Sequence, residues 1–143
     1  MEYRVCRNNP APYNDLNGKI SLLGLGTMRL PLRDAADQTS IDEEKAQEIF
    51  DYAYAHGVNY FDTAYPYHGG MSEKFCGKAL AKYPRASYHL ASKLPGWLLK
   101  CDEDVPRIFN EQLANCRTDY FDFYLAHSVH ESSWSNYAMY HAY

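Results

Sequence analysis

No stretch of the 143-residue chain approaches the run of roughly 18–20 apolar residues that a membrane-spanning helix requires. The N-terminal residues MEYRVCRNNPAPYND lack the apolar core of a secretory signal. Positive charge is not in excess: 14 Lys and Arg stand against 18 Asp and Glu, for a net charge of −4. The basic residues are also scattered, so neither nucleic acid nor an anionic membrane is expected as a partner. Cysteine is sparse. Cys6, Cys76, Cys101 and Cys116 form no CxxC pair, which disfavours a zinc site and a dense disulfide framework alike. No His/Asp pairs stand at the spacing a metal-dependent barrel hydrolase needs. With no address signal to read, a cytoplasmic location is the expectation. The last 12 residues, SSWSNYAMYHAY, contain no Asp, Glu, Lys or Arg.

What is present suits one globular domain. The hydrophobic share is 46% and the charged share 22%, ordinary values for a soluble fold. Residues 1–18 carry Asn, Pro and Gly signals of a loop or small hairpin. KISLLGLGTMRL, from Lys19, reads as one buried strand closed by Gly24 and Gly26. Ser40 and Glu43 form an S-x-x-E capping box before Ala46, Ile49, Phe50 and Ala53 at helical spacing. His56 and Gly57 close that helix. VNYFD reads as the next strand. Ser72 is placed to cap a second helix, with Phe75, Cys76, Ala79 and Leu80 on its apolar side. SYHLASKL is a third strand, broken by Pro95-Gly96. A third helix starts near Asp104 with Ile108, Phe109, Leu113 and Cys116 inward, and YFDFYLAH is a fourth strand. This β–α–β–α–β–α–β order implies parallel strands with crossover helices. It leaves two architectures, an open doubly wound sheet or part of a (β/α)8 barrel.

The strand ends carry the chemistry. The second strand ends in Asp62, the third in Lys93 and the fourth in His127, and Tyr67 follows in the loop above Asp62. By alternation, Asp62 shares a face with Val58 and Tyr60, Lys93 with His89 and Ala91, and His127 with Phe121, Phe123 and Leu125. In parallel α/β folds, sites form at the carboxyl ends of strands. A phenol is a weak acid near neutrality, with a reference pKa of about 10, and a nearby ammonium favours the phenolate. A carboxylate can hold that ammonium in place, and an imidazole can orient a substrate oxygen. Together these groups suit general acid chemistry that makes or breaks an alcohol. Taken singly, Asp62 and Lys93 read more often as a partly buried structural ion pair, and His127 reads as a satisfied histidine at a strand end.

The segments GLGTMRL, GVNYFDTAYPYHGGMSE, LASKLP and TDYFDFYLAHS, in that order over Ile20 to Ser128, resemble the aldo-keto reductase family. The resemblance implies NADPH-dependent reduction of a small aldehyde or ketone. Tyr67 would be the general acid, Lys93 would ease its proton release, Asp62 would hold Lys93 and His127 would orient the carbonyl. Gly26, Thr27 and Met28 match the segment that approaches the cofactor, and Ser128 matches a cofactor-contacting polar position. Where the family commonly has Tyr-Gly, this chain has Tyr67-His68-Gly69. His68 is read as a solvent-exposed loop insertion and not as a metal ligand.

Family members are complete (β/α)8 TIM barrels of about 250 residues. The expected fold here is therefore an incomplete (β/α)8 barrel of about four parallel strands with crossover helices. It divides into an N-terminal segment (1–18), the N-terminal half of the barrel (19–128) and a divergent aromatic tail (129–143). Open edge strands and an uncovered inner face raise self-association, or pairing with a separate second half, as the alternative to catalysis. In the tail, Trp134, Tyr137, Tyr140 and Tyr143 recur every third residue. An aromatic helix covering the open interior is one reading. The favoured one is a frame-shifted remnant without a role, because a three-residue repeat drifts around a helix of 3.6 residues per turn.

Overall fold

The computed structural model describes residues 3–5 and 19–142. Most of the N-terminal segment, Cys6 and the last aromatic of the tail repeat, Tyr143, lie outside the described residues. Strands β1 (Tyr3–Val5) and β2 (Lys19–Ser21) pair antiparallel. Strands β3 (Leu25–Gly26), β4 (Tyr60–Asp62), β5 (His89–Leu94) and β6 (Phe123–Ala126) form a parallel sheet in the order β3-β4-β5-β6. Each strand lies beside its predecessor. A doubly wound sheet would reverse direction at a switch point, so the sequential order identifies an incomplete (β/α) barrel. The run expected as one strand from Lys19 is in fact two, since the chain leaves β2 and exposes Leu22 and Leu23 before β3 begins.

Helix α1 (Glu43–Ala55) starts on Asp42, whose carboxylate accepts the Lys45 N–H at 3.3 Å. The Ser40 capping box does not form. The Ser40 hydroxyl instead closes the preceding loop, accepting from the Asp34 N–H at 3.0 Å and lying 2.7 Å from the Asp37 carbonyl. The other end follows the sequence reading. Gly57 adopts φ +84°, and the pair Gly57 N–H to Tyr54 O (2.9 Å) and Val58 N–H to Ala53 O (3.0 Å) makes a Schellman close leading directly into β4.

Helix α2 (Met71–Leu80) follows Gly70 at φ +90°. Ser72, expected as its cap, is buried inside its first turn, with its hydroxyl 2.8 Å from Thr27 Oγ1 and 3.0 Å from Thr63 Oγ1. Helix α3 (Asp104–Cys116) lies so close to α2 that a Cβ at Gly77 would stand 2.6 Å from the Asn115 carbonyl. Ile108 and Cys116 are buried as expected, while Phe109 and Leu113 are only partly so.

The core fills the layer between sheet and helices. Phe50 stacks on Phe61 at 5.3 Å and meets Phe75 edge-on at 5.4 Å, with Leu80, Leu90, Cys76 and Cys116 around them. Burial pushes the Cys76 thiol up to about 12, as suits an inert packing residue. Glu73 is fully buried in the same layer and accepts hydrogen bonds from Ser92 (2.7 Å), Gln112 (2.6 Å) and Asn115 (3.2 Å).

The opposite face of the sheet, toward the barrel interior, carries Tyr60, Asp62, His89, Lys93 and Phe123. Tyr60 lies 5.3 Å from Phe123 between ring centroids. Phe121, assigned to that face by alternation, packs outward against Phe109 and Tyr124, because regular strand geometry begins only at Phe123. Helix α4 (Trp134–Met139) does not cover the interior. Tyr137 packs with Leu94, Leu99 and Ile108 beside the exits of β5 and β6.

Candidate active site

Parallel register sets the site. Gly26 pairs with Asp62, and Lys93 pairs with Leu125 two residues before His127. Asp62, Lys93 and His127 therefore rise to one rim. Thr27 secures its first side: its N–H (2.9 Å) and hydroxyl (3.0 Å) both donate to the Asp62 carbonyl.

At the rim, Lys93 Nζ donates to Asp62 Oδ1 at 2.5 Å and to the Thr63 carbonyl at 2.7 Å. The side chains are 13% and 28% exposed, so the pair is largely buried with the carboxylate the more accessible partner. Nζ also lies 4.8 Å from the centroid of the Tyr67 ring. Tyr67 meets the His127 ring edge-on at 5.6 Å, and Trp97 flanks that imidazole on another side at 5.1 Å. The four residues singled out at the strand ends thus form one continuous cluster. Burial, reinforced by the Lys93 charge and partly offset by Asp62, holds the His127 pKa below its ordinary value. His127 Nδ1 is buried without a hydrogen-bond partner among the described residues. Buried polar atoms without a partner are uncommon in folded proteins.

The predicted cofactor-facing residues divide. Gly26 is exposed, and a Cβ there would meet nothing within 4 Å. Met28 is exposed as well. Ser128 is exposed in the left-handed region at φ +53°. Thr27 is fully buried, and its hydroxyl is committed to Asp62 and Ser72.

His68 corrects the sequence reading. It is 6% exposed, not solvated. Its Nε2 accepts the Leu30 N–H at 3.1 Å, so the ring proton sits on Nδ1, which donates to the Gln38 carbonyl at 3.0 Å. At φ +54°, an unfavourable conformation for a side chain with a Cβ, it ties the turn carrying Tyr67 to the loop after β3. Trp97 was also missed. The only local signal for it was an aromatic just beyond Pro95-Gly96.

The Aldo/keto reductase family model matches residues 22–139. The match runs past Ser128 into the tail, as far as Met139. L-galactose dehydrogenase of Arabidopsis thaliana is 32% identical over 117 residues, taking in 78% of this chain and 35% of that protein. An aldo-keto reductase from Bacillus halodurans in its holo form superposes with a TM-score of 0.66 at 30% identity, over 87% of this chain and 40% of its own. An aldo-keto reductase from Klebsiella pneumoniae in complex with NADPH gives 0.64 at 26% identity, over 89% and 40%. The chain spans 34% and 35% of the length of two curated relatives that it matches.

Proposed function

The chain belongs to the aldo/keto reductase family, and from that premise we propose that its rim serves NADPH-dependent reduction of an aldehyde or ketone to an alcohol. The observation that carries this reading is the convergence of Asp62, Lys93, Tyr67 and His127 at the carboxyl ends of β4, β5 and β6.

The residues present suit a nicotinamide above the rim in two respects. Gly26 and Met28 leave the approach open, and the buried Nδ1 of His127 has no internal partner. A bound reduced nicotinamide supplies the hydride. His127 fixes the carbonyl oxygen of the substrate beside Tyr67. The Tyr67 phenol donates its proton to that oxygen as negative charge develops there. Lys93, whose ammonium lies against the Tyr67 ring, stabilises the resulting phenolate. Asp62 keeps Lys93 charged and aimed. Carbonyl, hydride and proton sum to the alcohol, and Tyr67 regains its proton from solvent.

For this chain alone we expect weak NADPH binding and little turnover, since its four strands leave the barrel wall open. The test is a chimera in which residues 22–139 replace the matching part of the Klebsiella pneumoniae reductase. It should reduce a generic aromatic aldehyde with NADPH, and Tyr67→Phe should lower kcat by about 10²-fold or more, the range of a lost general acid. A chimera that binds NADPH but turns over equally well with Tyr67→Phe overturns the assignment.

A second reading is self-association. Among the described residues β3 and β6 are paired on one side only, and Leu125 on the inner face is 41% exposed. A discrete dimer on sizing supports it, and a monomer rejects it.

A further inference from the structure

We propose that Tyr137 is a positioning residue for the rim, locking the exit of β5 to the exit of β6 so that Lys93 and His127 keep their relative places. Its functional meaning rests on the reductase reading above, because those two residues are the ones it holds.

Helix α4 is short and presents mostly exposed residues, with Trp134 50% and Met139 61% exposed, yet Tyr137 within it is 2% exposed. Its hydroxyl serves three backbone groups. It accepts the Gly96 N–H at 3.0 Å. It lies 2.5 Å from the His127 carbonyl and 3.1 Å from the Leu94 carbonyl, the two acceptors for its proton. The His127 N–H in turn donates to the Leu94 carbonyl at 3.0 Å. These bonds form a closed circuit. Leu94 directly follows Lys93, so both carriers of the cluster are gripped within one residue of the side chain that matters.

Two further observations fit a clamp. Ser128, directly after His127, sits at φ +53°, a conformation that persists only when surrounding contacts impose it. The His127 carbonyl held by Tyr137 is the acceptor immediately before that turn. Gly96 provides the space: a Cβ there would stand 2.4 Å from Tyr137 Cζ, so the ring packs directly on bare backbone. Without the hydroxyl, the Gly96 N–H and the His127 carbonyl lose their shared partner, and the imidazole wedged between Tyr67 and Trp97 loses the anchor of its own main chain.

The experiment uses the 143-residue chain with isotope-labelled histidine. Tyr137→Phe removes the hydroxyl alone. The Gly96 amide should then exchange at least tenfold faster, and the His127 titration midpoint should move up toward the ordinary imidazole value, with His68 and His89 signals unchanged. A variant that melts earlier but keeps the His127 midpoint and Gly96 protection of the parent overturns the proposal, leaving Tyr137 as packing only. Trp134→Ala on the same helix should leave His127 unmoved, and an equal shift there overturns it as well. Gly96→Ala, which displaces the ring while keeping the hydroxyl, should reproduce the Tyr137→Phe shift and serves if that variant fails to fold. In the parent chain itself, Gly96 exchange as fast as an open amide rejects the clamp outright. None of these readouts involves turnover, so an inactive chimera would sink the reductase reading and leave this one standing.

Discussion

The two ends of one sheet carry the same three kinds of side chain in different settings. At the amino end, Asp122 meets Arg85 at 2.7 Å and His89 at 3.4 Å. At the carboxyl end, Asp62 meets Lys93 at 2.5 Å, and His127 stands nearby. The lower cluster is closed. Arg85 also donates to Thr118, to the Tyr88 carbonyl and to the Tyr120 carbonyl, with its guanidinium 3.9 Å from the Tyr120 ring centroid. Asp122 additionally accepts the Leu90 N–H at 2.8 Å, and the remaining nitrogen of His89 faces the Lys19 carbonyl at 3.2 Å. The upper cluster keeps an imidazole nitrogen with no partner among the described residues, and its Asp62 side chain is 28% exposed against 4% for Asp122. A carboxylate, a cation and a histidine do not mark a site by their identities; what separates the two clusters is how fully their hydrogen-bonding capacity is filled.

The largest effect that would break this contrast is on stability. Asp122 is 4% exposed as a side chain, and Asp122→Ala leaves Arg85, His89 and the Leu90 N–H without their shared acceptor. We expect a loss of roughly 3–5 kcal/mol, the range for stripping one partner from a buried charge pair. Asp62→Ala should cost less, because its side chain is 28% exposed and Lys93 keeps the Thr63 carbonyl as an acceptor. Urea denaturation of both variants decides, and equal losses would erase the distinction between the two ends. The lower cluster also has an acid signature. Burial opposes ionisation of Asp122, but hydrogen bonds from His89, the Leu90 N–H and Arg85 outweigh it and hold its pKa below the ordinary carboxylate value. Its contribution is therefore complete above about pH 4 and is lost as pH falls through the depressed value.

Legibility in the sequence followed the same division. Asp62, Lys93 and His127 could be found because each ends an apolar strand pattern, and position along a strand is a local property. Alternating helical and strand periodicity implies parallel strands with crossover helices but leaves the strand order open between a doubly wound sheet and a barrel, which the family resemblance narrows to the barrel. Asp122 and Arg85 lie 37 residues apart and meet through the pairing of β5 with β6, which no local pattern encodes. His68 was misread for the same reason: its partners, Leu30 and Gln38, are 38 and 30 residues away. Ser72 and Ser40 carried genuine capping chemistry, but a buried hydroxyl cluster and a loop turn captured them. In the tail, the drift of a three-residue repeat counts against a shared helix face, and a single member among the described residues, Tyr137, is buried by packing with Leu94, Leu99 and Ile108.

A smaller effect sharpens the border between the two settings. His68 is structural by its bonds, yet it adjoins Tyr67 in sequence. His68→Ala removes the acceptor of the Leu30 N–H and the donor to the Gln38 carbonyl, with an expected cost of about 2 kcal/mol. In the chimera, its effect on turnover should fall well short of that of Tyr67→Phe, because His68 shapes the turn and touches no reacting atom. A loss equal to that of Tyr67→Phe would place His68 inside the chemical cluster.

The smallest effect is the pH response of the rim. The His127 pKa lies below its ordinary value because burial and the Lys93 charge disfavour the imidazolium. Above the unfolded-state value of about 6.5, His127 is neutral in both states and costs the fold nothing. As pH drops below 6.5 the unfolded chain binds the proton first, so stability declines toward the depressed folded value. His127→Gln should flatten that part of the stability profile between about pH 7 and 5 and leave the Asp122 loss at lower pH intact. Because Asp62 partly offsets the burial and the Lys93 charge, the change should be a shallow slope in thermal midpoint rather than a step. If His127→Gln instead altered the profile near pH 4, the two ends of the sheet would be electrostatically coupled, and the independence of fold and site along β5 and β6 would have to be given up.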